Sequence, residues 1–378
     1  MSSKLANGAI LFMCNFPYGT GYAWSAIENY FIALSEFFSK KKIPCYIGYP
    51  AISGSTPERL SDNLKIIKYS PYTKLPSLKI LKRLNIKLIL LIDRGSWSLR
   101  YMLFRLAGVR QIIIYDHTSG IRSTPKGLKR LAKKILHYLP WVSADLYIGV
   151  SKFVTRRLIE VNCVPPKKVR CVYNGIPLEK FSHNQKGALY KLVPQTRGHK
   201  IVFFSGRMCD YKGVGILIES AAHLIISKKR NNLFFICCGN GPDLCRFKKM
   251  VNEKGIQDKF IFLGKRNDIH LLLQDVHVAV VPSLWAEACP LAVLEPMASG
   301  IPVIASRVGG IPEIIDDKKT GQLVEPGNIK DLSSAIEKLL DEKIASYISK
   351  EGKRKIEKDF SFKIFMDNMC NIMGKYVL

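Results

Sequence analysis

Apolar and polar positions follow two rhythms along this chain. Short runs rich in Ile, Val and Phe, closed by Gly or Asn, alternate with stretches of helical spacing through both halves. Strands buried on both faces read as continuous apolar runs, so the pattern predicts parallel sheets built from strand and helix units. In the first half the predicted strands cover 9–15, 44–50, 87–93, 111–117, 146–151 and 169–175. In the second they cover 200–206, 232–240, 259–264, 276–283 and 301–306. Each set suits an open, doubly wound α/β sheet. Residues 331–378 read as two or three amphipathic helices.

The length of 378 residues is too great for one ordinary core and fits two domains. A polar, Gly-containing segment follows Asn174-Gly175-Ile176-Pro177, so the junction is set near 176. The predicted first domain is 1–175, and the second is 176–357. A hydrophobic fraction of 47% without low-complexity runs excludes a disordered chain. No uninterrupted apolar run approaches the roughly 20 residues of a spanning helix. The opening "AILFMCN" runs into a Pro/Gly loop and reads as a first strand rather than a signal peptide. Ten cysteines are scattered without a C-x-x-C pair, which suggests reduced, buried thiols in a cytosolic protein.

Charge changes this picture. The net charge is +28, and residues 1–176 hold 28 Lys and Arg against 8 Asp and Glu. A basic first half calls for an anionic partner: nucleic acid, a membrane face or a polyanionic substrate. Residues 125–141, "PKGLKRLAKKILHYLPW", mix lysines with Leu128, Leu131, Ile135 and Trp141, and 76–87 repeats the theme. Such basic amphipathic segments suit an anionic lipid surface, although a helix packed on its sheet with a solvated basic face has the same pattern. No aromatic-basic stacking motif supports nucleic acid.

Ligands of doubly wound sheets bind beyond the carboxyl ends of the strands, and four such places stand out. "SGRMCDYKG" brings Arg207 and Lys212 to a short loop before a helix, a fit to a diphosphate; an isolated pair of this kind is more often two solvated cations. In "SLWAEACPLAVLEPMASGIP", Glu287 precedes a helix predicted to begin near Pro290, and Glu295 lies on its second turn. The free N–H groups of Leu291 and Ala292 suit an anion, and the carboxylates suit vicinal hydroxyls of a sugar or ribose. Two glutamates at this spacing alone also fit a surface loop and a salt-bridged helix. Gly19, Thr20 and Gly21 form a tight turn after the first strand, but Trp24 occupies the third glycine position of a dinucleotide fingerprint. His117 ends a strand in "YDHTSG", where a ring nitrogen can meet a hydroxyl or serve a structural role.

Together these segments resemble the retaining glycosyltransferases of family 4, with the GT-B fold. The resemblance rests on "GTG", "YDHTSG", "VYNGIP", "GRMCDYKG", "CCGNGP", "FLGKRND" and "PSLWAEACPLAVLEPMASGIPVIASRVGGIPEII", in the family's order over about 10–330. It implies two Rossmann-like domains facing across a cleft, with 358–378 crossing back to the first. It implies that Arg207 and Lys212 hold the donor diphosphate, Glu287 the sugar and Glu295 the ribose. The amides of Leu291 and Ala292 contact phosphate, the backbone near Lys265 and Arg266 approaches the base, His117 lies beside the transferred sugar, and Gly19, Thr20 and Gly21 close over it. The chain departs from the common motif at Ala288, Cys289 and Pro290, where a glycine, an aromatic and a glycine are usual.

Family members are usually metal-independent, and the chain has no D-x-D motif, so neither a metal nor another cofactor is expected. A UDP- or GDP-sugar would be co-substrate. The expected enzyme is a hexosyl- or N-acetylhexosaminyltransferase acting on a lipid-linked saccharide or a surface polysaccharide or lipopolysaccharide intermediate. It would be peripheral on the cytoplasmic face of the membrane, held by its basic N-terminal domain. A nucleotide-sugar epimerase of the same fold and a catalytically silent glycan-binding protein are the alternatives.

Overall fold

The computed structural model of the chain describes residues 8–18, 22–50, 58–68, 78–182 and 186–377. Eight strands make the first sheet: β1 (Ala9–Met13), β2 (Cys45–Tyr49), β3 (Arg59–Ser61), β4 (Leu64–Lys68), β5 (Ile86–Ile92), β6 (Gln111–Asp116), β7 (Leu146–Gly149) and β8 (Val169–Cys171). Their order is β3-β4-β2-β1-β5-β6-β7-β8, parallel except for the β3-β4 pair. The central strands are almost wholly apolar because helices cover both faces. Phe12 of β1, for example, stacks on Phe31 of the helix Tyr22–Ser39 with ring centroids 4.5 Å apart. Burying one such ring contributes about 1.5–3 kcal/mol.

The second sheet contains β9 (Lys200–Ser205), β10 (Leu233–Cys238), β11 (Phe260–Gly264), β12 (Val278–Val281), β13 (Val303–Ser306) and β14 (Gln322–Val324). All are parallel, in the order β11-β10-β9-β12-β13-β14. Phe235 and Phe247 anchor its core together with Leu217, Ile218 and Ile336. These are two Rossmann-like α/β sheets, each closed on both faces.

Chain contacts divide the molecule into two units. One holds the described residues of Met1–Thr118, Arg122–Tyr173 and Ile364–Leu378; the other holds Ser119–Ile121 and the described residues of Asn174–Lys363. The sequence reading divides the chain after 175 and begins the last helix at 358. The contacts divide it two residues earlier, at Asn174, whose amide donates to the Cys289 carbonyl at 3.0 Å. Residues 358 and 359 finish the helix Glu342–Asp359, Ser361 bridges to Ile176, and a separate helix spans Phe362–Val377. That last helix packs Phe365 on Tyr30 in the first unit, with centroids 4.2 Å apart.

Three strands differ from the apolar-run pattern. β3 and β4 form a short hairpin in "RLSDNLKIIK", where lysines interrupt the run, and β14 is only three residues long. In turn, the expected strand 169–175 shrinks to the three residues of β8 at the sheet edge. Within 76–87 the described helix is only Leu78–Arg83, because β5 begins at Ile86. Cys171 and Cys245 are exposed rather than buried. No helix among the described residues is long and apolar enough to cross a membrane.

Candidate active site

In the second sheet β9 and β12 are neighbours, paired at Val202 with Val278 and Phe203 with Ala279, and the strand order reverses between them. In doubly wound sheets the chains leaving two such strands turn to opposite sides, and ligands bind at their carboxyl ends. The two exit loops are in contact. Gly213 has φ +73° and a Cβ there would lie 1.8 Å from the Pro282 carbonyl oxygen, so no side chain fits. Leu284 N–H donates to the Tyr211 carbonyl at 2.9 Å.

This close approach brings together two residues that lie 75 positions apart. Lys212 Nζ donates to Glu287 Oε1 at 2.6 Å, and the Ser283 hydroxyl donates to the same oxygen at 2.6 Å. Glu287 is only 7% exposed. An unpaired carboxylate at that depth would cost several kcal/mol, which the lysine and the serine offset. Both contacts fall on Oε1, so Oε2 is left with no hydrogen bond among the described residues. Likewise Nζ has further protons to donate.

The backbone around Glu287 is held from behind. Gly310 N–H donates to the Glu287 carbonyl at 2.8 Å, and Gly309, at φ +57°, passes so close that a Cβ would sit 2.1 Å from that oxygen. Gly120 N–H donates to the Ala286 carbonyl at 2.7 Å. The helix that follows is Leu291–Ala298. Pro290, near which the helix was expected to begin, is its N-cap, with φ −74° and ψ 124°. Pro carries no N–H, and the N–H groups of Val293 and Leu294 bond back to the Pro290 carbonyl, so the first-turn donors of Leu291 and Ala292 are the ones the helix itself leaves free. Glu295 is buried on the second turn, 4% exposed.

Arg207 is exposed on the loop after β9, and Lys265 is exposed after β11. Arg266 is turned into a fork on Asp268, with contacts of 2.9 and 2.5 Å. The bonded arginine holds the Asp268 carboxyl below its usual range. Backbone bonds join the exits of β9, β10 and β11: Gly206 N–H to the Cys238 carbonyl at 3.0 Å and Gly239 N–H to the Gly264 carbonyl at 2.7 Å.

His117 belongs to the first unit, just past β6. Its backbone N–H donates to Asp93 Oδ1 at 2.5 Å, and its Nδ1 lies 3.8 Å from the same oxygen. Neither ring nitrogen has a hydrogen bond among the described residues, although both are shielded from water. Burial pushes the imidazole down to about 4, against the opposing pull of Asp116. Asp93 is pushed up to about 7, first by burial and then by the neighbouring Asp116. Arg157, from the helix Lys152–Glu160, neutralises Asp116 at 3.0 Å and donates to the Thr118 carbonyl at 2.6 Å. Gly19, Thr20 and Gly21 lie outside the described residues. Among the described residues, no group of three or more His, Cys, Asp or Glu side chains is placed to hold a metal ion.

Residues 193–355 match the model of the glycosyl transferases group 1, and residues 27–180 match that of Glycosyltransferase Family 4. The chain belongs to this family of glycosyltransferases. Among curated proteins it is 28% identical over 271 residues to an Escherichia coli UDP-Gal:alpha-D-GlcNAc-diphosphoundecaprenol alpha-1,3-galactosyltransferase, covering 71% of this chain and 70% of that protein. Among solved structures it resembles a glycosyltransferase from Rickettsia africae ESF-5, with TM-score 0.80 and 20% identity over 98% of both chains. It also resembles Anabaena HepE in complex with UDP and glucose, with TM-score 0.77 and 16% identity over 97% of this chain and 99% of that one. The fold of this glycosyltransferase is therefore GT-B.

Motif reading alone passes over Ser283, Gly309 and Asn174, which hold Glu287 and its loop, and Asp93, Asp116 and Arg157, which surround His117. Asp93 and Asp116 were within reach of it. Both end predicted apolar runs, at the same carboxyl edge that singles out His117.

Proposed function

We propose that this glycosyltransferase moves a sugar from a UDP- or GDP-sugar to a lipid-linked saccharide or a surface polysaccharide or lipopolysaccharide intermediate, with retention of configuration and without a divalent metal. The observation that carries the reading is the Lys212, Glu287 and Ser283 cluster beside the free N–H groups of Leu291 and Ala292. Lys212 and Arg207 take the charge that develops on the departing diphosphate, assisted by those N–H groups. Fixed cations thus supply what a metal supplies elsewhere. Glu287, through Oε2, accepts hydroxyls of the sugar; Glu295 accepts those of the ribose, and the backbone at Lys265 and Arg266 meets the base. His117 lies beside the transferred sugar. The lipid-diphosphate acceptor of the E. coli relative and the UDP in the HepE complex support the choice of acceptor and donor classes.

Attachment to the cytoplasmic face of an anionic membrane is part of the same reading. The helix Gly127–Tyr138 does not bury its apolar residues on the sheet: Leu128 is 85% exposed, Leu131 54% and Ile135 52%, beside exposed Lys129, Arg130 and Lys134. Leu99, Leu106 and Trp141 are exposed too. Apolar side chains among lysines and arginines suit the headgroup boundary of an anionic bilayer.

The test is direct. The purified chain is incubated with UDP-galactose, UDP-glucose, UDP-N-acetylglucosamine or GDP-mannose and GlcNAc-diphosphoundecaprenol, with and without EDTA. Transfer that survives EDTA and falls at least 100-fold in Glu287→Ala is expected. Epimerised donor without acceptor, or a Glu287→Ala enzyme as active as the wild type, overturns the reading. For the membrane, Leu131→Glu with Ile135→Glu should release the protein from phosphatidylglycerol vesicles at low salt.

A further inference from the structure

The surroundings of His117 are built in more detail than a strand-end residue needs. Asp93 is the residue after β5, and its backbone sits in the left-handed region at φ 49°. That conformation costs a non-glycine residue about 1–2 kcal/mol. Its side chain receives the His117 backbone N–H at 2.5 Å on Oδ1 and the Asn15 amide at 3.4 Å on Oδ2. On the other side Asp116 accepts the Thr118 N–H at 2.8 Å and its hydroxyl at 2.6 Å, with Arg157 paired to the same oxygen. The peptide on each side of His117 is therefore pinned by a separate carboxyl. The ring itself touches Tyr115 edge-on, with centroids 4.1 Å apart, and has Asp93 Oδ1 3.8 Å from Nδ1.

We propose that Asp93 is the positioning residue of His117: its carboxylate fixes the His117 backbone and selects the neutral tautomer with the proton on Nδ1, which leaves Nε2 to accept a hydrogen bond from a hydroxyl of the transferred sugar. This rests on the reading that His117 meets that sugar. The physical reason is simple. Beside a carboxylate oxygen a neutral imidazole is lower in energy with its N–H on the near nitrogen than with a lone pair there. The 3.8 Å separation closes to a hydrogen bond with a small ring rotation, as catalytic contacts do when substrate binds. A buried ring nitrogen without a partner is costly, and a hydroxyl arriving at Nε2 removes that cost.

The groups facing Asp93 are His117 and Asp116 from the end of β6, Arg157 from the helix behind them, and Asn15 after β1. Asp116 is paired with Arg157 at 3.0 Å, and Asp93, pushed up to about 7 by its burial, titrates near neutrality. The tautomer must then depend on pH although the ring stays neutral.

The chain, 15N-labelled at its histidines, tests this by NMR, with His117 assigned from the spectrum lost in His117→Gln. At pH 8 Nδ1 should be the protonated nitrogen and Nε2 the bare one. As pH falls through about 7 the two tautomers should mix, while the ring stays uncharged until about 4. The step near 7 should vanish in Asp93→Asn; the wild-type titration decides the matter even if that variant does not fold. An Nε2-protonated ring at pH 8, or a tautomer ratio constant from pH 8 to 5, overturns the role of Asp93. A mixture of UDP-galactose, UDP-glucose and GDP-mannose at pH 8 should move Nε2 and leave Nδ1 in place. No movement overturns instead the sugar contact on which the proposal rests.

Discussion

Replacing Lys212 by methionine removes the cation from Glu287 and keeps most of the side-chain volume. Glu287 is 7% exposed and, among the described residues, then keeps the Ser283 hydroxyl at 2.6 Å as its side-chain partner. Leaving one ion of a fully buried pair behind costs 3–5 kcal/mol, roughly. Lys212 is 25% exposed at its side chain, so water enters the gap and screens the carboxylate. The expected loss is accordingly about 2–3 kcal/mol. Glu287→Gln leaves a neutral acceptor and a lysine that can turn to water, so about 1 kcal/mol is expected. The double variant has no charge to strand. It should be more stable than Lys212→Met alone, with a coupling of about 1–2 kcal/mol. Because the chain has two units, a single melting curve mixes them, and native-state hydrogen exchange of peptides covering 200–206 and 278–290 is the suitable assay. If Lys212→Met exchanges like the wild type in those peptides, or if the double variant is the sum of the singles, the pair does not hold the loops and the argument fails.

Three further outcomes follow from the same geometry. Gly213→Ala meets the Pro282 oxygen at 1.8 Å from a left-handed backbone, so it should lower the stability of the second unit by about 2–4 kcal/mol and weaken UDP binding, read by calorimetry. Asn174→Ala loses the bond to the Cys289 carbonyl and should cost about 1–2 kcal/mol, seen as faster exchange of the 283–290 peptide. His117, lowered to about 4, stabilises the fold above its unfolded value of 6.5, and this contribution of about 3 kcal/mol is lost as pH falls through 4. Asp93, raised to about 7, contributes about 4 kcal/mol below its ordinary 3.8 and loses it as pH rises through 7. The two slopes oppose each other between pH 4 and 7. Hydrogen-exchange protection of peptides covering 86–93 and 111–117, measured as a function of pH, should therefore fall more steeply on acidification in Asp93→Asn than in the wild type, and parallel curves would refute the assignment.

Much of the architecture was legible in the sequence because parallel strands buried on both faces leave little choice of residue. β9, β10, β12 and β13 are nearly pure apolar runs, and the helix after Pro290 was legible from its proline. β3, β4 and β14 were not, because short edge strands carry lysine, serine and glutamine and depend on a neighbour already being in place. Arg207, Lys212, Glu287 and Glu295 stood out by their places after predicted strands, and the resemblance to the family joined them into one site. That Lys212 bonds Glu287 was not readable, since it depends on β9 and β12 being adjacent while 75 residues separate the two side chains.

The same division holds around His117 and on the basic helix. A histidine at a strand end is a local feature, but its pairing with Asp93 is set by the β5-β6 neighbourhood. The helical spacing of 127–138 was plain, whereas the exposure of its leucines depended on what the fold left beside them. Sequence alone determined what each segment could bury, through period and composition. Which buried charge found which partner was decided only in three dimensions, because an ion pair is stabilised by distance and dielectric, and neither is written along the chain.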